Sequence, residues 1–302
     1  MNGMVLSAGY GTRLRPYTDT IPKPAIPFLT VPLACYPLAL FEKQKINNLV
    51  INTHHLPEKI THLYEHLKWP MSSPPQKLIF SAEPKQILGS GGGVRHALES
   101  LLGHGVFFVA NADEVILPAH HEVIKDALAF HRHHGGIATL LSLPHPEVGI
   151  KFGGLWLPES SSLDGRSKIS QFSKTKIPGH RGLHFVGVML LSDSIEKYFF
   201  ADDSKEENIL YDTLTLAMTK GESVHAFEID AQWFETGNPH DFLSASEFCL
   251  KAIQATPLTA WAQYLRQLIC RCGTHQFLVE KDVPLLETNM QLCVKKILSG
   301  EI

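Results

Sequence analysis

Short apolar runs and longer amphipathic stretches alternate through the first half of the chain. The runs Gly3–Ser7, Leu49–Thr53, Lys77–Ser81, Val106–Ala110 and Ile137–Leu143 are rich in Val, Ile, Leu or Phe and predict strands. Between them, Pro32–Lys45, Pro57–Leu67, Gly92–Leu102 and Glu122–His134 have the length and spacing of helices. This is the rhythm of β-α-β units, so the pattern predicts a Rossmann-like α/β fold: a mostly parallel sheet with helices on both faces. Ligands of such sheets gather at the carboxyl ends of the strands. After Pro144 the rhythm breaks. Phe152–Leu157, Lys168–Phe172 and His184–Leu191 predict strands with few helices between them, and Leu157–Lys168 is a polar turn. Helical spacing returns at Asn208–Lys220 and Pro239–Gln254, on either side of a strand at Ser223–Ile229. In the tail, Trp261, Leu265 and Leu268 fall at i, i+4 and i+7. The organisation expected is a domain over 1–248, with halves at 1–143 and 144–248, followed by a helical extension over 249–302.

Composition narrows the partners. The 302 residues are 44% hydrophobic and 19% charged, which is ordinary for a globular chain with a sizeable core. A formal charge of −3 supplies no basic field for nucleic acid, while small anions remain open as ligands. The five cysteines, Cys35, Cys249, Cys270, Cys272 and Cys293, are odd in number and lie mostly late in the chain, a poor disulfide framework. With no leader pattern and no apolar run long enough to span a bilayer, the expected setting is the cytoplasm.

Candidate chemistry begins at "LSAGYGTRLRP", Leu6–Pro16. A strand followed by Ala8, Gly9 and Gly11 lets the backbone close on a ligand, and Thr12, Arg13 and Arg15 offer donors and positive charge. Alone, such a turn is generic. The dinucleotide fingerprint fails because Leu14 stands at its third glycine, and a P-loop fails because no lysine follows Gly89–Gly93. Lys23 sits in "IPKPAIP", where prolines stiffen the backbone around one ammonium; it is either a fixed counter-charge or a solvated surface lysine. Asp113 follows the run Phe107–Ala112 and offers a hard oxygen to a divalent cation, or caps a turn. Among the seventeen histidines, His131, His133 and His134 fall at a helix end before Gly135, where positive charge and a glycine cap suit the terminus better than a metal does. Cys270, Cys272 and His275 lack a fourth ligand at zinc-like spacing.

Taken together, these stretches resemble the sugar-1-phosphate nucleotidyltransferases. "MVLSAGYGTRLRPYT" is similar to the family's signature loop, "PKP" at 22–24 to its second motif, and "EPKQILGSGGG" at 83–93 to the loop that meets base and sugar. "VANAD" keeps Asp113 but has Ala112 for the usual glycine; "HFVGVMLL" and "WFETGNP" complete an ordered set over roughly 1–248. "NTHHLPEKI", with the short length, is most similar to N-acetylmuramate-1-phosphate uridylyltransferases and short mannose-1-phosphate guanylyltransferases. The resemblance implies an enzyme that joins a nucleoside triphosphate to a sugar 1-phosphate and releases pyrophosphate, for cell-envelope or polysaccharide synthesis. It implies nucleotide contacts at Ala8, Gly9, Gly11, Thr12, Arg13, Glu83 and Gly89, with Arg13 and Lys23 as the catalytic cations. Sugar-phosphate contacts fall on Asn111, Gly153, Gly187 and a lysine, Lys176 or Lys174. Asp113 and Glu235 are the implied ligands of Mg2+, Glu235 standing where the family has aspartate and Asn238 where it has threonine. The family's Glu-Lys-Pro is absent from Ile169–Gly179. These departures keep two other readings open: a nucleotide-sugar-binding regulatory subunit, or a cytidylyltransferase acting on phosphocholine or another phosphomonoester. A homo-oligomer also remains open, since the tail can pack on the core or form a subunit interface.

Overall fold

A strand buried on both faces reads as an unbroken apolar run, and the strands at the centre of this protein are of that kind. The structure, a computed structural model, describes residues 1–83, 85–159, 168–202 and 204–273. Its strands are β1 (Asn2–Leu6), β2 (Pro27–Phe28), β3 (Val31–Pro32), β4 (Asn48–Thr53), β5 (Lys77–Ala82), β6 (Val106–Asn111), β7 (Val115–Pro118), β8 (Ala138–Leu143), β9 (Gly154–Pro158), β10 (Gln171–Ser173), β11 (His180–Ser192), β12 (Val224–Glu228) and β13 (Ala231–Phe234). The helices are α1 (Cys35–Ala39), α2 (Pro57–Glu65), α3 (Gly89–His96), α4 (Leu98–Leu101), α5 (Val123–His134), α6 (Thr215–Thr219), α7 (Pro239–Gln254) and α8 (Ala260–Cys272).

Nine strands form one mixed sheet in the order β10-β9-β11-β6-β1-β4-β5, with β8 on β11 and β12 on β8. The first-half ladders β6-β1-β4-β5 are parallel, as the β-α-β rhythm predicts. The later part of the chain turns the sheet mixed. β11 runs antiparallel to β6, β8 and β9, and so joins the two halves of the sequence in a single sheet. Alternate residues feed two cores: Val5, Ile51 and Phe108 pack on one face, Met4, Val50 and Phe107 on the other. Period-2 geometry thus explains why the middle positions of these strands are continuously apolar.

Several elements differ from the pattern in the sequence, each for a local reason. The helix expected over Pro32–Lys45 is confined to Cys35–Ala39. Pro32 belongs to a strand and Pro37, which bars an earlier helical start, sits in the first turn; beyond Ala39 the chain continues in i→i+3 turns, with Phe41 N–H on the Leu38 carbonyl (3.0 Å). The stretch Asn208–Lys220 opens as a π-helix at Ile209–Leu214 before α6. The extension expected from residue 249 has no break there, because α7 runs through that point, and Cys249, Leu265 and Ile269 sit in the same core as the sheet. Residues 274–302, with His275 and Cys293, lie outside the described residues, as does most of the polar turn expected at Leu157–Lys168. No helix among the described residues is long and apolar enough to cross a membrane.

The histidine-rich helix end is structural. α5 stops at His134 with Gly135 as its cap. His131 is buried, its Nδ1 2.8 Å from Thr139 Oγ1 and its Nε2 3.1 Å from Ser192 Oγ. Because Ser192 Oγ donates to the Gly136 carbonyl, Nε2–H must donate to Ser192 and Nδ1 must accept from Thr139. A neutral ring satisfies this network, and burial pushes the His131 pKa down to about 4. The stability that this group confers is complete above its ordinary value near 6.5 and is lost as pH falls toward 4, on the order of 3 kcal/mol. Urea unfolding at pH 7.0, 5.5 and 4.5 should show this acid limb, shallower in His131→Gln. An equal acid loss in both proteins excludes His131 as its source.

Candidate active site

Two ion pairs face each other across the carboxyl ends of β1 and β6. Lys23 bonds the Asp113 carboxylate, and Arg13 Nη1 lies 3.7 Å from Glu235 Oε2. The cleft between them has a volume of about 270 Å³ and is lined by Gly9, Gly11, Thr12, Arg13, Lys23, Asp113 and Gly237, among others. Residues far apart in sequence, all implicated by the motifs, are therefore gathered at one place.

Each is positioned by its own stretch of chain. The loop after β1 is tied down by Ser7 N–H on Asn52 Oδ1 (2.6 Å) and by a single 3-10 turn, Thr12–Leu14, whose Leu14 is buried. Gly11 has φ +61°, and a Cβ there would meet Thr18 Cγ2 at 2.8 Å, so this position requires glycine. Gly9 faces open space, and Ala8 is buried behind the loop. Lys23 opens the turn Lys23–Ala25, held by Ala34 N–H on the Pro24 carbonyl (3.0 Å). Its side chain is 12% exposed, which rules out a solvated surface lysine. Arg15 does not line the cleft; it pairs with Asp19 at 3.1 Å.

The two acids come from neighbouring strand ends. Ala112 N–H donates to the Leu6 carbonyl (3.1 Å), placing Asp113 just beyond β6. β13 pairs with β7 through Phe234–Val115, and Thr236 Oγ1 donates to the Asp113 carbonyl (3.1 Å). Glu235 accepts from Gly237 N–H, and Asn238 caps α7 through Asp241 N–H (3.0 Å). Between Asp113 and β7 lies Glu114, bonded by Trp233 Nε1 (2.7 Å) and Asn111 Nδ2 (3.1 Å). Burial, reinforced by the Asp113 carboxylate beside it, pushes the Glu114 pKa up to about 7. Asp113 lines the cleft itself, while Glu235 stands beside Arg13 and Gly237 and lines the neighbouring hollow with Lys151 and Asp241; each offers a hard oxygen of the kind a divalent cation accepts. Among the described residues no group of three His, Cys, Asp or Glu is placed to hold a metal ion by itself.

The other residues singled out in the sequence stand elsewhere. Glu83 is buried and fully engaged: Oε1 accepts from Asn52 Nδ2 (2.7 Å) and Oε2 from Leu88 N–H (2.8 Å). It links the start of α3 to the loop after β1 through Asn52. Gly89 opens α3 against the backbone of Glu207, whose carbonyl accepts the N–H groups of Gly91 (2.7 Å) and Gly92 (3.2 Å). The glycine run therefore serves a close chain crossing, and its amides are already engaged. Asn111 and Gly187 adjoin Glu114 behind Asp113. Gly153 lies by Tyr211 and Lys174, while Lys176 lies by Gly149; of the two lysines, Lys174 shares the surroundings of Gly153, its Nζ 6.0 Å from the Tyr211 ring.

Sequence reasoning assigned no role to five contributors. Glu207, with Arg95, forms a buried ion pair that also takes Thr213 Oγ1 (2.7 Å). Glu114 and Trp233 form the bridge just described. His54 joins the loops: its Nδ1 is 2.5 Å from the Glu83 carbonyl, which can only accept, leaving Nε2 to receive the Tyr10 hydroxyl at 2.9 Å. Of these, only His54 and Trp233 lay in stretches that carried a visible sequence signal, "NTHHLPEKI" and "WFETGNP".

A positively charged loop at the carboxyl ends of parallel strands defines a class, the α/β proteins that handle phosphorylated ligands. Within that class the chain belongs to the nucleotidyl transferase family, whose model matches residues 2–252. It is 27% identical over 258 residues to a mannose-1-phosphate guanyltransferase of Schizosaccharomyces pombe. The match covers 84% of this chain and 66% of that protein, so the chain spans just under two thirds of the curated relative. A UDP-glucose pyrophosphorylase from Acinetobacter baumanii has a similar fold (TM-score 0.67, 19% identity, 89% of this chain and 98% of that one). So does an inositol-1-phosphate CTP transferase from T. maritima (TM-score 0.63, 17% identity, 99% and 96%).

Removing one partner of a buried ion pair strands the other charge, at a cost of about 3–5 kcal/mol. Glu207→Ala should lose stability of that order in urea unfolding. A loss under ~1 kcal/mol would show that Arg95 finds adequate partners without it.

Proposed function

We propose that this protein transfers a nucleotidyl group from a nucleoside triphosphate to a sugar 1-phosphate, releasing pyrophosphate, with Mg2+ bound by Asp113 and Glu235. The observation that carries this reading is the double ion pair across one cleft: Lys23 with Asp113 and Arg13 with Glu235. Without substrate, each cation is neutralised by a carboxylate. When a triphosphate enters, Lys23 and Arg13 turn to its oxygens, and the carboxylates become available to a divalent cation. Bound there, Mg2+ would supply positive charge to the phosphate oxygens.

The chain's own residues then act by alignment and charge. Gly9, Gly11 and Thr12 present backbone to the phosphates, and Arg13 holds their outer oxygens. Lys23, nearly buried, sits where negative charge grows as the sugar phosphate attacks the α phosphorus in line. No general base is required, because a phosphomonoester oxygen is already a competent nucleophile. Fixing two anionic reactants in line supplies several kcal/mol of the barrier, and one positioned cation about 3 more. The sugar phosphate would be met by Gly153 and by a lysine, Lys174 or Lys176, of which Lys174 shares the surroundings of Gly153 and Tyr211. The same reading assigns the protein to the cytoplasm, whose reducing medium suits its free thiols at Cys35, Cys249, Cys270 and Cys272. The identity of base and sugar follows from a panel of four NTPs crossed with several sugar 1-phosphates, with pyrophosphate release as the readout. Lys23→Ala and Asp113→Ala should each lower turnover at least a hundredfold, about 2.7 kcal/mol, with far-UV circular dichroism unchanged. Normal turnover in either variant removes that residue from the mechanism, and nucleotide binding without pyrophosphate release anywhere on the panel marks a regulatory subunit instead.

A further inference from the structure

Glu114 has no role in the chemistry above, yet three strands are built around its carboxylate. Its Oε2 accepts from Trp233 Nε1 at 2.7 Å and its Oε1 from Asn111 Nδ2 at 3.1 Å. Trp233 stands two residues before Glu235 on β13, and Asn111 two residues before Asp113 at the end of β6. One carboxylate thus bridges the two segments that carry the two acids of the site. β11 accommodates it. The pairing of β11 with β8 shifts register between Phe185 and Met189, and Gly187 within that bulge has φ +81°. A Cβ at Gly187 would collide with Glu114 Cγ and stand 3.0 Å from Asn111 Nδ2, so the glycine leaves room for the bridge. On its far face Trp233 packs against His184, ring centroids 4.1 Å apart, and edge-on against Phe152 at 5.2 Å. The indole is thus packed among His184, Phe152 and His145 with its N–H on Glu114.

We infer that Glu114 is a positioning residue: by bonding Asn111 and Trp233 together it sets the separation of Asp113 and Glu235. It touches neither substrate nor metal. The bond to Trp233 crosses from the end of β6 to β13; among the described residues these two strand ends are also joined by the Thr236 hydroxyl on the Asp113 carbonyl, at the longer distance of 3.1 Å. Without Glu114, the indole N–H and the Asn111 amide each lose an acceptor in a partly buried setting, and each relaxes toward water. The two acids then lose a shared spacing that a divalent cation requires of both at once. The backbone of the phosphate loop and of the Lys23 turn is anchored by other contacts, at Thr18, Ala34 and Asn52, so it keeps its place without Glu114.

This inference rests on the proposed metal-assisted transfer, and the experiment separates the two. Glu114→Ala, Glu114→Gln and Trp233→Phe, in the full chain, are compared with the unaltered protein by equilibrium Mn2+ binding followed by electron paramagnetic resonance with nucleotide present. Nucleotide affinity in EDTA, kcat and KM on the active substrate pair, and thermal unfolding complete the set. Glu114→Ala should weaken Mn2+ binding and lower kcat by tenfold or more, with nucleotide affinity in EDTA not weakened. Glu114→Gln, whose carbonyl still accepts from Trp233, should recover most of both. Trp233→Phe should fall between them, and it carries the test if the alanine variant fails to fold. Unchanged Mn2+ binding in folded Glu114→Ala or Trp233→Phe, or a glutamine variant as impaired as alanine, overturns the inference. Absence of turnover in the unaltered protein overturns the proposed reaction alone, since the Mn2+ measurement still reports on Glu114.

Discussion

Everything in the cleft depends on one ammonium meeting one carboxylate. Lys23 comes from a proline-stiffened turn and Asp113 from the end of a central strand, and nothing local in either stretch requires the other. Their meeting is a product of the sheet: β6 lies beside β1 in parallel register, with Ala110 opposite Val5, so the chain leaving each strand emerges on the same edge. Apolar burial on both faces of these strands fixes that register, because a slip of one residue would exchange the two cores. The hydrophobic pattern therefore determines where the charges stand. Having fixed them, the fold lets them neutralise each other, which keeps a lysine nearly out of water without stranding its charge.

Around that pair the protein uses buried carboxylates as braces. Glu83 joins the loop after β1 to the start of α3, and Glu207 joins α3 to the π-helix at Ile209–Leu214. Glu114 joins the ends of β6 and β13. Each is satisfied by named donors, as a polar group away from water must be, and each spans segments distant in sequence. The result is a rigid rim at the edge of the sheet, on which the phosphate loop and the two acids are mounted. Rigid mounting suits a reaction whose barrier is lowered by alignment rather than by proton transfer.

Much of this was legible in the sequence, and the limit is physical. The parallel half was readable because doubly buried strands such as Val106–Asn111 are continuous apolar runs, and α7 because its pattern opens with Asn238 and Pro239, a cap and a first-turn proline. The cleft was readable because glycine, arginine, lysine and aspartate fall at motif spacing. The ladder of β7 with β13 was not, since each strand has only four residues and its partner lies more than a hundred positions away. The same distance hid the bond of Glu114 to Trp233 and the pair of Arg95 with Glu207. Glu83 and Gly89 were singled out, but their partners, Asn52 and Leu88 for one and the Glu207 backbone for the other, were not: a side chain shows its type in the sequence, whereas its hydrogen-bond partners appear only in the folded chain.

The central claim is that Asp113 competes with phosphate for Lys23 until a metal-bearing nucleotide arrives. Calorimetric titration of nucleoside triphosphate in EDTA into the unaltered protein and into Asp113→Asn tests it directly. The account predicts several-fold tighter metal-free binding to Asp113→Asn, because the neutral amide releases Lys23 to the phosphates. Equal or weaker binding by a folded Asp113→Asn protein would contradict it.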